Sequence, residues 1–301
     1  MKENRRAMVM ASFAGDSLGL GVHWIYDPVR IEKEFGRVES LLKPKADSYH
    51  PTKERGEFTH YGDQAFALLE SLAARKGFDL DDFSERWRSL FKDYQRYFDQ
   101  ATKATLGNFA LGKGPAESGS LSNDLAGAAR IAPLVFSCHD DMDVLVRYAR
   151  AQTAMTHNTP TVIDGAEFFA VVCARVLKGQ DPVSTMEAVA GERFAGTPLA
   201  EWVGKGVRSR GDDSISTLTR FGQSCHDEEA FPGVVHLIAR YETDLKEGLV
   251  QCVMAGGDSA GRAMIVGMVL GAHLGMAALP PEWISGMRTA KRIQDLLDLI
   301  S

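Results

Sequence analysis

The chain has 301 residues, of which 45% are hydrophobic and 25% are charged. This apolar content can fill a large core and excludes an intrinsically disordered chain. The formal net charge is -6, from 34 Lys and Arg residues and 40 Asp and Glu residues. Basic residues form no long run, so we expect neither a nucleic-acid partner nor a membrane partner.

The N-terminal apolar stretch, residues 7–14, is short and leads to Asp16 rather than to the cleavage site of a secretory leader. The 4 Cys residues are too few and too far apart for a disulfide scaffold or paired zinc knuckles. Both features indicate a cytoplasmic protein with reduced thiols. Residues 263–279 are uncharged and approach the length of a membrane span, but their regularly spaced glycines favour a buried core helix.

Apolar residues recur every three to four positions along most of the chain, which predicts α-helices. One series starts at Gln64, and a second follows Asp82 and contains aromatic residues that we interpret as core packing. Residues 123–124 and 140–141 supply N-caps for two more helices. Further helices are expected over about residues 161–178, 182–193, 228–240, 244–254, 259–278 and 288–300.

Only residues 38–42 alternate weakly like a β-strand, so a sheet is not expected. The sequence contains no internal repeat and no shift in composition that would mark a boundary. We therefore predict a single all-α domain over residues 1–301, built as a large multi-helix bundle. Two polar loops, residues 43–60 and 107–123, are longer than ordinary helix connections and are candidate carriers of binding chemistry.

Three Asp residues stand beside glycines at predicted helix starts, namely Asp16, Asp63 and Asp258. Such a carboxylate can cap the helix, bind a cation or act on a substrate. Capping is the ordinary explanation for any one of them. Three such positions in one chain favour a site.

Four segments in a fixed order carry a family resemblance. Residues 15–19 read Gly-Asp-Ser-Leu-Gly, Thr59 opens a helix, Thr156-His157 lies mid-chain, and residues 256–258 read Gly-Gly-Asp. Together they resemble the ADP-ribosylglycohydrolase family, which includes crystallin J1-like proteins. The resemblance implies an all-α bundle that typically holds two Mg²⁺ ions in a central cleft and releases ADP-ribose from modified side chains.

The metal motifs depart from the family pattern, so the chain resembles a divergent member. The family's first motif reads Thr-Asp-Asp-Thr, whereas residues 59–62 read Thr-His-Tyr-Gly. Its last motif reads Gly-Gly-Asp-Thr-Asp-Thr, whereas Ala260 and Gly261 replace the final two residues here. Thr59 and Asp258 remain as candidate metal ligands. A two-Mg²⁺ site is not expected, because Mg²⁺ requires hard oxygen ligands in nearly octahedral geometry.

Three alternatives to the family's two Mg²⁺ ions stay open. One Mg²⁺ is compatible with Asp258, Asp16 and Asp63 plus water, whereas His60 suits Zn²⁺. A third replacement is a fixed cation, because Arg262 lies four residues after Asp258 and could neutralise it or meet a substrate phosphate. The alternative for Arg262 is an ordinary surface ion pair.

The resemblance implies a glycosidic hydrolase, in which paired carboxylates activate water and stabilise an oxocarbenium-like centre. Asp63 and Asp258 are the candidate catalytic residues, and which of them activates water stays open. The predicted substrate-binding residues are Asp16, Tyr61, His157, Gly257 and Arg262, although a lone His such as His157 is more often structural.

The predicted function is hydrolysis of an N- or O-glycosidic bond to ADP-ribose or a related nucleoside, with a reduced or rebuilt metal site. The expected partner is a small molecule or an ADP-ribosylated substrate. The alternative is a catalytically inactive binding or structural protein, like a crystallin, on the same scaffold. The acceptor residue and the oligomeric state stay undetermined at this point.

Overall fold

The computed structural model describes residues 2–300, and those residues form α-helices and two short 3-10 helices without any β-strand. The predicted all-α fold is therefore confirmed. The helices in chain order are α1 (Lys2–Gly19), α2 (Pro28–Phe35), α3 (His60–Arg75), α4 (Leu80–Lys92), α5 (Gln100–Ala110), α6 (Ala126–Ala129), α7 (Ala132–Cys138), α8 (Met142–Ala154), α9 (Pro160–Leu177), α10 (Pro182–Arg193), α11 (Pro198–Arg208), α12 (Ser214–Phe221), α13 (Asp227–Arg240), α14 (Leu245–Met254), α15 (Ser259–Leu274), α16 (Pro281–Gly286) and α17 (Ala290–Ile300).

Helices α1 and α15 lie against each other in the middle of the core. A side chain cannot fit at Gly15, where a Cβ atom would lie 2.4 Å from the carbonyl oxygen of Ala263. The same holds for Gly267, where a Cβ atom would lie 2.3 Å from the carbonyl oxygen of Ala11. The glycines of α15 therefore let the two backbones meet, and every residue from Ser259 to Ala272 is buried.

The uncharged segment is thus a core helix, as its glycines predicted. No helix among residues 2–300 is both long and apolar enough to cross a membrane. The aromatic series after Asp82 also packs inward, since Phe83 and Trp87 are both 0% exposed.

Several boundaries differ from the prediction. The aromatic series ends as helix at Lys92, and a new helix, α5, starts at Gln100 because Asp99 caps it by accepting a hydrogen bond from the Thr102 amide. The helix predicted after residue 124 is divided into α6 and α7. Residues 38–42 form no strand. Six helices were not predicted, namely α1, α2, α5, α11, α12 and α16.

Candidate active site

The N-terminus of α3 is held by a carboxylate from another helix. Asp16 Oδ2 accepts a hydrogen bond from the Thr59 amide at 2.7 Å, and Asp16 Oδ1 accepts from Thr59 Oγ1 at 2.6 Å and from the Gly62 amide at 3.2 Å. The prediction that Asp16 stands at a helix start is wrong, because it lies in the last turn of α1. Burial raises the pKa of Asp16 to about 6.

Asp63, one turn into α3, belongs to the same group of contacts. Its Oδ2 atom accepts hydrogen bonds from Lys53 Nζ at 2.5 Å and from Tyr94 Oη at 2.6 Å. Lys53 is 1% exposed, so this ion pair is largely shielded from solvent. We call Asp16, Lys53, Thr59, Asp63 and Tyr94 the cap cluster, and its carboxylates are held by partners within the protein.

The two residues between Thr59 and Gly62 have different partners. His60 Nε2 lies 3.1 Å from Asp99 Oδ2, and the Tyr61 hydroxyl donates to Asp124 Oδ2 at 3.3 Å. Both side chains are buried. The sequence Thr-His-Tyr-Gly-Asp therefore divides its side chains between two groups of contacts.

Asp258 lies in the second group, at the N-terminus of α15. The Nδ1 atom of His23 accepts a hydrogen bond from the Ala260 amide at 3.4 Å, and its Nε2 atom lies 3.5 Å from Asp258 Oδ1. Burial raises the pKa of Asp258 to about 6, although Arg262 and His60 oppose this shift. Asp258 is therefore mostly ionised at neutral pH.

Three imidazole rings lie side by side here. The ring centroids of His23 and His50 are 5.5 Å apart, and those of His50 and His60 are 5.8 Å apart. Burial lowers the pKa of His23 well below its usual value and that of His50 to about 2, so both are neutral at physiological pH. We call His23, His50, His60, Tyr61, Asp99, Asp124 and Asp258 the pocket cluster.

Many polar atoms of this region have no hydrogen-bond partner in the described part of the chain. They are His23 Nε2, both ring nitrogens of His50, His60 Nδ1, His157 Nε2, Asp258 Oδ1 and Arg262 Nε. A buried polar atom without a partner costs about 1–3 kcal/mol. Several such atoms together indicate that the region binds water or a polar ligand.

Aromatic side chains cover the pocket cluster. The ring of Trp24 lies 4.9 Å from that of Tyr49 and 5.0 Å from that of Tyr97, with the rings nearly perpendicular. Tyr26 and Tyr49 are about half exposed, at 50% and 51%. We call Trp24, Tyr26, Tyr49 and Tyr97 the aromatic rim.

Trp24 adopts a left-handed backbone conformation, with φ of +63°, which is unusual for a bulky residue. Its amide donates to the Gly257 carbonyl at 2.9 Å, and the Gly257 amide donates to the Ile25 carbonyl at 2.8 Å. At Gly257, with φ of +65°, a Cβ atom would lie 2.1 Å from the Gln223 carbonyl oxygen. Both backbone groups of Gly257 are thus used within the protein, and they position Trp24.

Arg262 is not on the surface, so the interpretation as a surface ion pair is wrong. Its side chain is 1% exposed, and the guanidinium donates to the carbonyl oxygens of Gln223, at 3.1 Å, and Gly256. Arg262 joins two loops next to Asp258, and its charge still lowers the pKa of that carboxyl.

His157 lies beneath the pocket cluster and is 2% exposed. Its Nδ1 atom lies 2.9 Å from Thr156 Oγ1, and its ring fills the space where a side chain at Gly127 would be. Burial and the charge of Arg130 lower the pKa of His157 to about 3. His157 is therefore a packed, neutral residue with one ring nitrogen unpaired.

The donors do not fit a bound metal. The three candidate Mg²⁺ ligands are not free together, because Asp16 and Asp63 accept hydrogen bonds within the cap cluster whereas Asp258 lies in the pocket cluster. His60, the candidate Zn²⁺ ligand, has its Nε2 atom 3.1 Å from Asp99 Oδ2, which leaves only Nδ1 for a metal. Across residues 2–300, no three His, Cys, Asp or Glu side chains are arranged to hold a metal ion.

Sequence reasoning did not select five residues of the site, namely His23, Trp24, His50, Asp99 and Asp124. Two signals pointed toward some of them. The long loop 43–60 carries His50, and residues 123–124 were predicted to cap a helix, which drew attention to Asp124. Asp99 had no signal, because it falls in a stretch next to a predicted helix.

Comparison with known proteins now identifies the family. A family model described as ADP-ribosylglycohydrolase matches residues 1–301. The chain belongs to the ADP-ribosylglycohydrolase family. An uncharacterized protein of Archaeoglobus fulgidus is 27% identical over 299 residues, covering 98% of this chain and 95% of that protein.

Two named relatives carry different descriptions. Crystallin J1A of Tripedalia cystophora is 25% identical over 317 residues, covering 100% of this chain and 97% of the crystallin. ADP-ribosylhydrolase ARH3 of Mus musculus is 23% identical over 323 residues, covering 92% of this chain and 85% of that protein.

A solved structure named "ADP-ribosylglycohydrolase-related protein complex" superposes with a TM-score of 0.76, at 22% identity, over 99% of this chain and 97% of that chain. This similarity shows the family's fold. It does not by itself assign a substrate.

Proposed function

We propose that this family member hydrolyses an N- or O-glycosidic bond to ADP-ribose or a related nucleoside, with no step that requires a metal. The observation that carries the proposal is the set of unpaired, buried polar atoms around Asp258. A purely structural core would pair or exclude such atoms, because each one costs stability. A polar ligand that pairs with them accounts for their presence.

Asp258 is the proposed base that activates water. Its Oδ1 atom is unpaired, and a pKa of about 6 leaves the carboxylate mostly ionised but basic enough to accept a proton at neutral pH. The Nε2 atom of His23 lies 3.5 Å from the same oxygen. Water loses a proton to Asp258 while its oxygen bonds to the anomeric carbon of the ribose.

Charge and shape support a sugar nucleotide as ligand. Carboxylates in the pocket cluster stabilise positive charge at the anomeric carbon, and His23 and His50 contribute no opposing charge because they are neutral. The aromatic rim offers ring faces on which a planar base can stack. Tyr61 and His157 are also proposed to contact the substrate.

Other predicted residues receive supporting roles in this proposal. Asp63 is ion-paired with Lys53, so we assign it to the support of α3 rather than to catalysis. Asp16 accepts hydrogen bonds at the start of the same helix. Gly257 positions Trp24 through its backbone, and the charge of Arg262 lowers the pKa of Asp258. We also propose that the chain acts as one domain in the cytoplasm on a small or ADP-ribosylated substrate.

A second candidate function is an inactive binding or structural protein. Its support is the similarity to crystallin J1A and the replacement of the family's metal-binding carboxylates by His60 and Tyr61. The aromatic rim that covers the pocket cluster is compatible with it. The two candidates differ in whether the unpaired atoms serve a reaction.

The test measures release of ADP-ribose by chromatography from peptides ADP-ribosylated on arginine, an N-glycosidic link, and on serine, an O-glycosidic link. Wild type is assayed with EDTA and with added Mg²⁺, beside Asp258→Asn and the matched control Asp63→Asn. We expect release in EDTA, a loss of at least about 10²-fold in Asp258→Asn, and little change in Asp63→Asn.

Other results would contradict specific parts of the proposal. Release that requires Mg²⁺ would show that the reaction has a metal step. Loss of activity in Asp63→Asn alone would move catalysis to the cap cluster. No release from either peptide, together with no rise in the melting temperature on addition of ADP-ribose, would favour the binding or structural protein.

A further inference from the structure

A buried arginine fixes the hydroxyl group next to His157. Arg130 lies directly after α6 and is 2% exposed, and its guanidinium donates four hydrogen bonds to neutral oxygen atoms. Two go to the side chain and the backbone of Gln152, at 2.9 and 3.1 Å, and one goes to Gln64 Oε1 at 3.1 Å. The fourth goes to Thr156 Oγ1. The guanidinium is therefore held in one orientation, with one N–H group directed at Thr156.

The hydrogen bonds of Thr156 have one direction that uses every proton. A guanidinium can only donate, so Thr156 Oγ1 is an acceptor toward Arg130. The single hydroxyl proton then needs an acceptor of its own. The other hydrogen-bond partner of Oγ1 in the described part of the chain is Nδ1 of His157, at 2.9 Å. The hydroxyl therefore donates to Nδ1. Since a neutral imidazole carries one proton, that proton lies on Nε2.

The ring of His157 is also fixed in place. Its amide donates to the Thr153 carbonyl at 2.8 Å, and a Cβ atom at Gly127 would lie only 2.7 Å from its Cγ atom. The Nδ1 edge of the ring thus lies against Gly127 and Thr156, so Nε2, on the opposite side, faces away from both. Nε2 is buried and has no hydrogen-bond partner among residues 2–300.

We propose that Arg130 and Thr156 are positioning residues that hold the proton of His157 on Nε2, so that the ring offers a hydrogen-bond donor to an oxygen atom of the substrate. The substrate part of this inference rests on the proposed function above. A buried N–H group without an acceptor costs about 1–3 kcal/mol, and a ligand oxygen removes this cost. A cationic group of a ligand finds no lone pair at Nε2. His157 thereby selects ligands that place an acceptor oxygen at this position.

NMR of isotopically labelled histidine nitrogens reads the position of this proton in the complete chain. A ring nitrogen that carries a proton and one that only accepts a hydrogen bond have well-separated chemical shifts. The signals of His157 are assigned as those lost in His157→Gln. We expect a protonated Nε2 and an unprotonated Nδ1 in the free protein. Addition of ADP-ribose should shift the Nε2 signal, because that N–H group gains an acceptor.

Thr156→Val keeps the branched shape of the side chain and removes the hydroxyl. The Nδ1 signal should move to the position of a nitrogen without a hydrogen bond. The Kd for ADP-ribose, measured by calorimetry, should rise about 3- to 10-fold, because a ring that is no longer anchored must be ordered on binding. Thr156→Ser restores the hydroxyl and should retain the wild-type spectrum and Kd.

Thr153→Val is the matched control. Thr153 is also buried, but its hydroxyl donates to the Gly127 carbonyl, at 3.2 Å, rather than to an imidazole. The loss of this hydroxyl should leave the His157 signals and the Kd for ADP-ribose unchanged.

Arg130→Met tests the direction of the hydrogen bonds. Without the guanidinium, the Thr156 hydroxyl can accept from Nδ1 as well as donate to it. A fraction of His157 with its proton on Nδ1 should therefore appear. If Arg130→Met is unfolded by circular dichroism, the wild-type spectrum and the Thr156 variants decide the inference.

The outcomes separate this inference from the proposed function. A proton on Nδ1 in the wild type, or wild-type signals and Kd in Thr156→Val, would overturn the positioning role. An Nε2 signal that does not move when ADP-ribose binds would overturn the contact with the substrate. If ADP-ribose does not bind and neither peptide is cleaved, the proposed function fails together with that contact. The spectra of the free protein still decide the positioning role in that case.

Discussion

The cap cluster and the pocket cluster both place carboxylates in the core around the first turn of α3, yet their hydrogen bonding differs. In the cap cluster, Asp16 accepts three hydrogen bonds and Asp63 accepts two. In the pocket cluster, Asp258 Oδ1 and ring nitrogens of three histidines have no hydrogen-bond partner among the residues that the structure describes. The difference shows that burial of charged groups alone does not mark a site. A group of unsatisfied polar atoms that lie close together is the better indication of a site.

The largest expected effect is on the cap cluster. Asp16→Ala removes the carboxylate that accepts from the amides of Thr59 and Gly62 at the start of α3, and both amides lose this buried partner. We expect a loss of about 4 kcal/mol in the free energy of unfolding, measured with urea. Asp47→Ala, at an exposed carboxylate, is the control and should change it by less than about 0.5 kcal/mol. If Asp16→Ala lost less than about 1 kcal/mol, the hydrogen bonds of the cap cluster would not stabilise the protein, and the proposed difference between the two clusters would be refuted.

Gly62→Ala tests how tightly the cap cluster is packed. The new Cβ atom would lie 2.6 Å from Asp16 Oδ2 and 2.7 Å from the Cβ atom of Phe58, so the helix start must move. We expect a loss of about 3 kcal/mol in thermal or urea unfolding. Gly191→Ala, inside α10 where nothing lies within 4 Å, should instead stabilise the protein by up to about 1 kcal/mol. Equal effects at both positions would refute the close packing.

Lys53→Met removes the positive charge that pairs with Asp63 and leaves Tyr94 as the remaining partner. A loss of about 2 kcal/mol is expected, because a partly buried carboxylate loses its counter-charge. The double variant with Asp63→Asn should recover part of this loss in a double-mutant cycle. Strict additivity would mean that the ion pair contributes nothing.

The smallest effect is expected for Asp258→Asn. Unlike the cap-cluster variants, this substitution in the pocket cluster should increase the free energy of unfolding. The pKa of Asp258 rises from an ordinary value of 3.8 to about 6 on folding, so the folded protein binds more protons than the unfolded chain between these pH values. The free energy of unfolding therefore falls as pH rises through this window. Asn carries no charge, so the variant avoids the cost of burying an ionised carboxylate. We expect the free energy of unfolding to increase by about 1 kcal/mol at pH 7.5 and not to change at pH 3.5.

Urea unfolding at the two pH values checks this prediction. A loss of stability at pH 7.5 in Asp258→Asn would show that the carboxylate is a structural group like Asp16. The pocket cluster would then no longer differ from the cap cluster.

The sequence predicted the fold well, whereas for the candidate site it named some residues and not their contacts. Helical spacing requires only local periodicity, so the all-α architecture and the core position of the segment around Gly267 could be read directly. The partners of Asp16 and Asp63 could not, because they depend on how separate segments meet. Periodicity also fails in loops, which is why His50 and Asp99 were missed.

Residues 59–63 illustrate the same limit. The family motif drew attention to this segment. It could not show that Thr59 and Asp63 contact one cluster while His60 and Tyr61 contact another. A motif gives the order of side chains along the helix, whereas their chemistry depends on which neighbours each one meets.

The contact between α1 and α15 has a consequence for how the protein is made. Gly15 and Ala263 touch, yet they lie near opposite ends of the chain. During synthesis, the part of the first helix that meets α15 lacks this native partner until Ser259–Leu274 has left the ribosome, and it must be shielded from aggregation until then. Nascent chains that stop before α15 should therefore depend on chaperones more than the complete protein does.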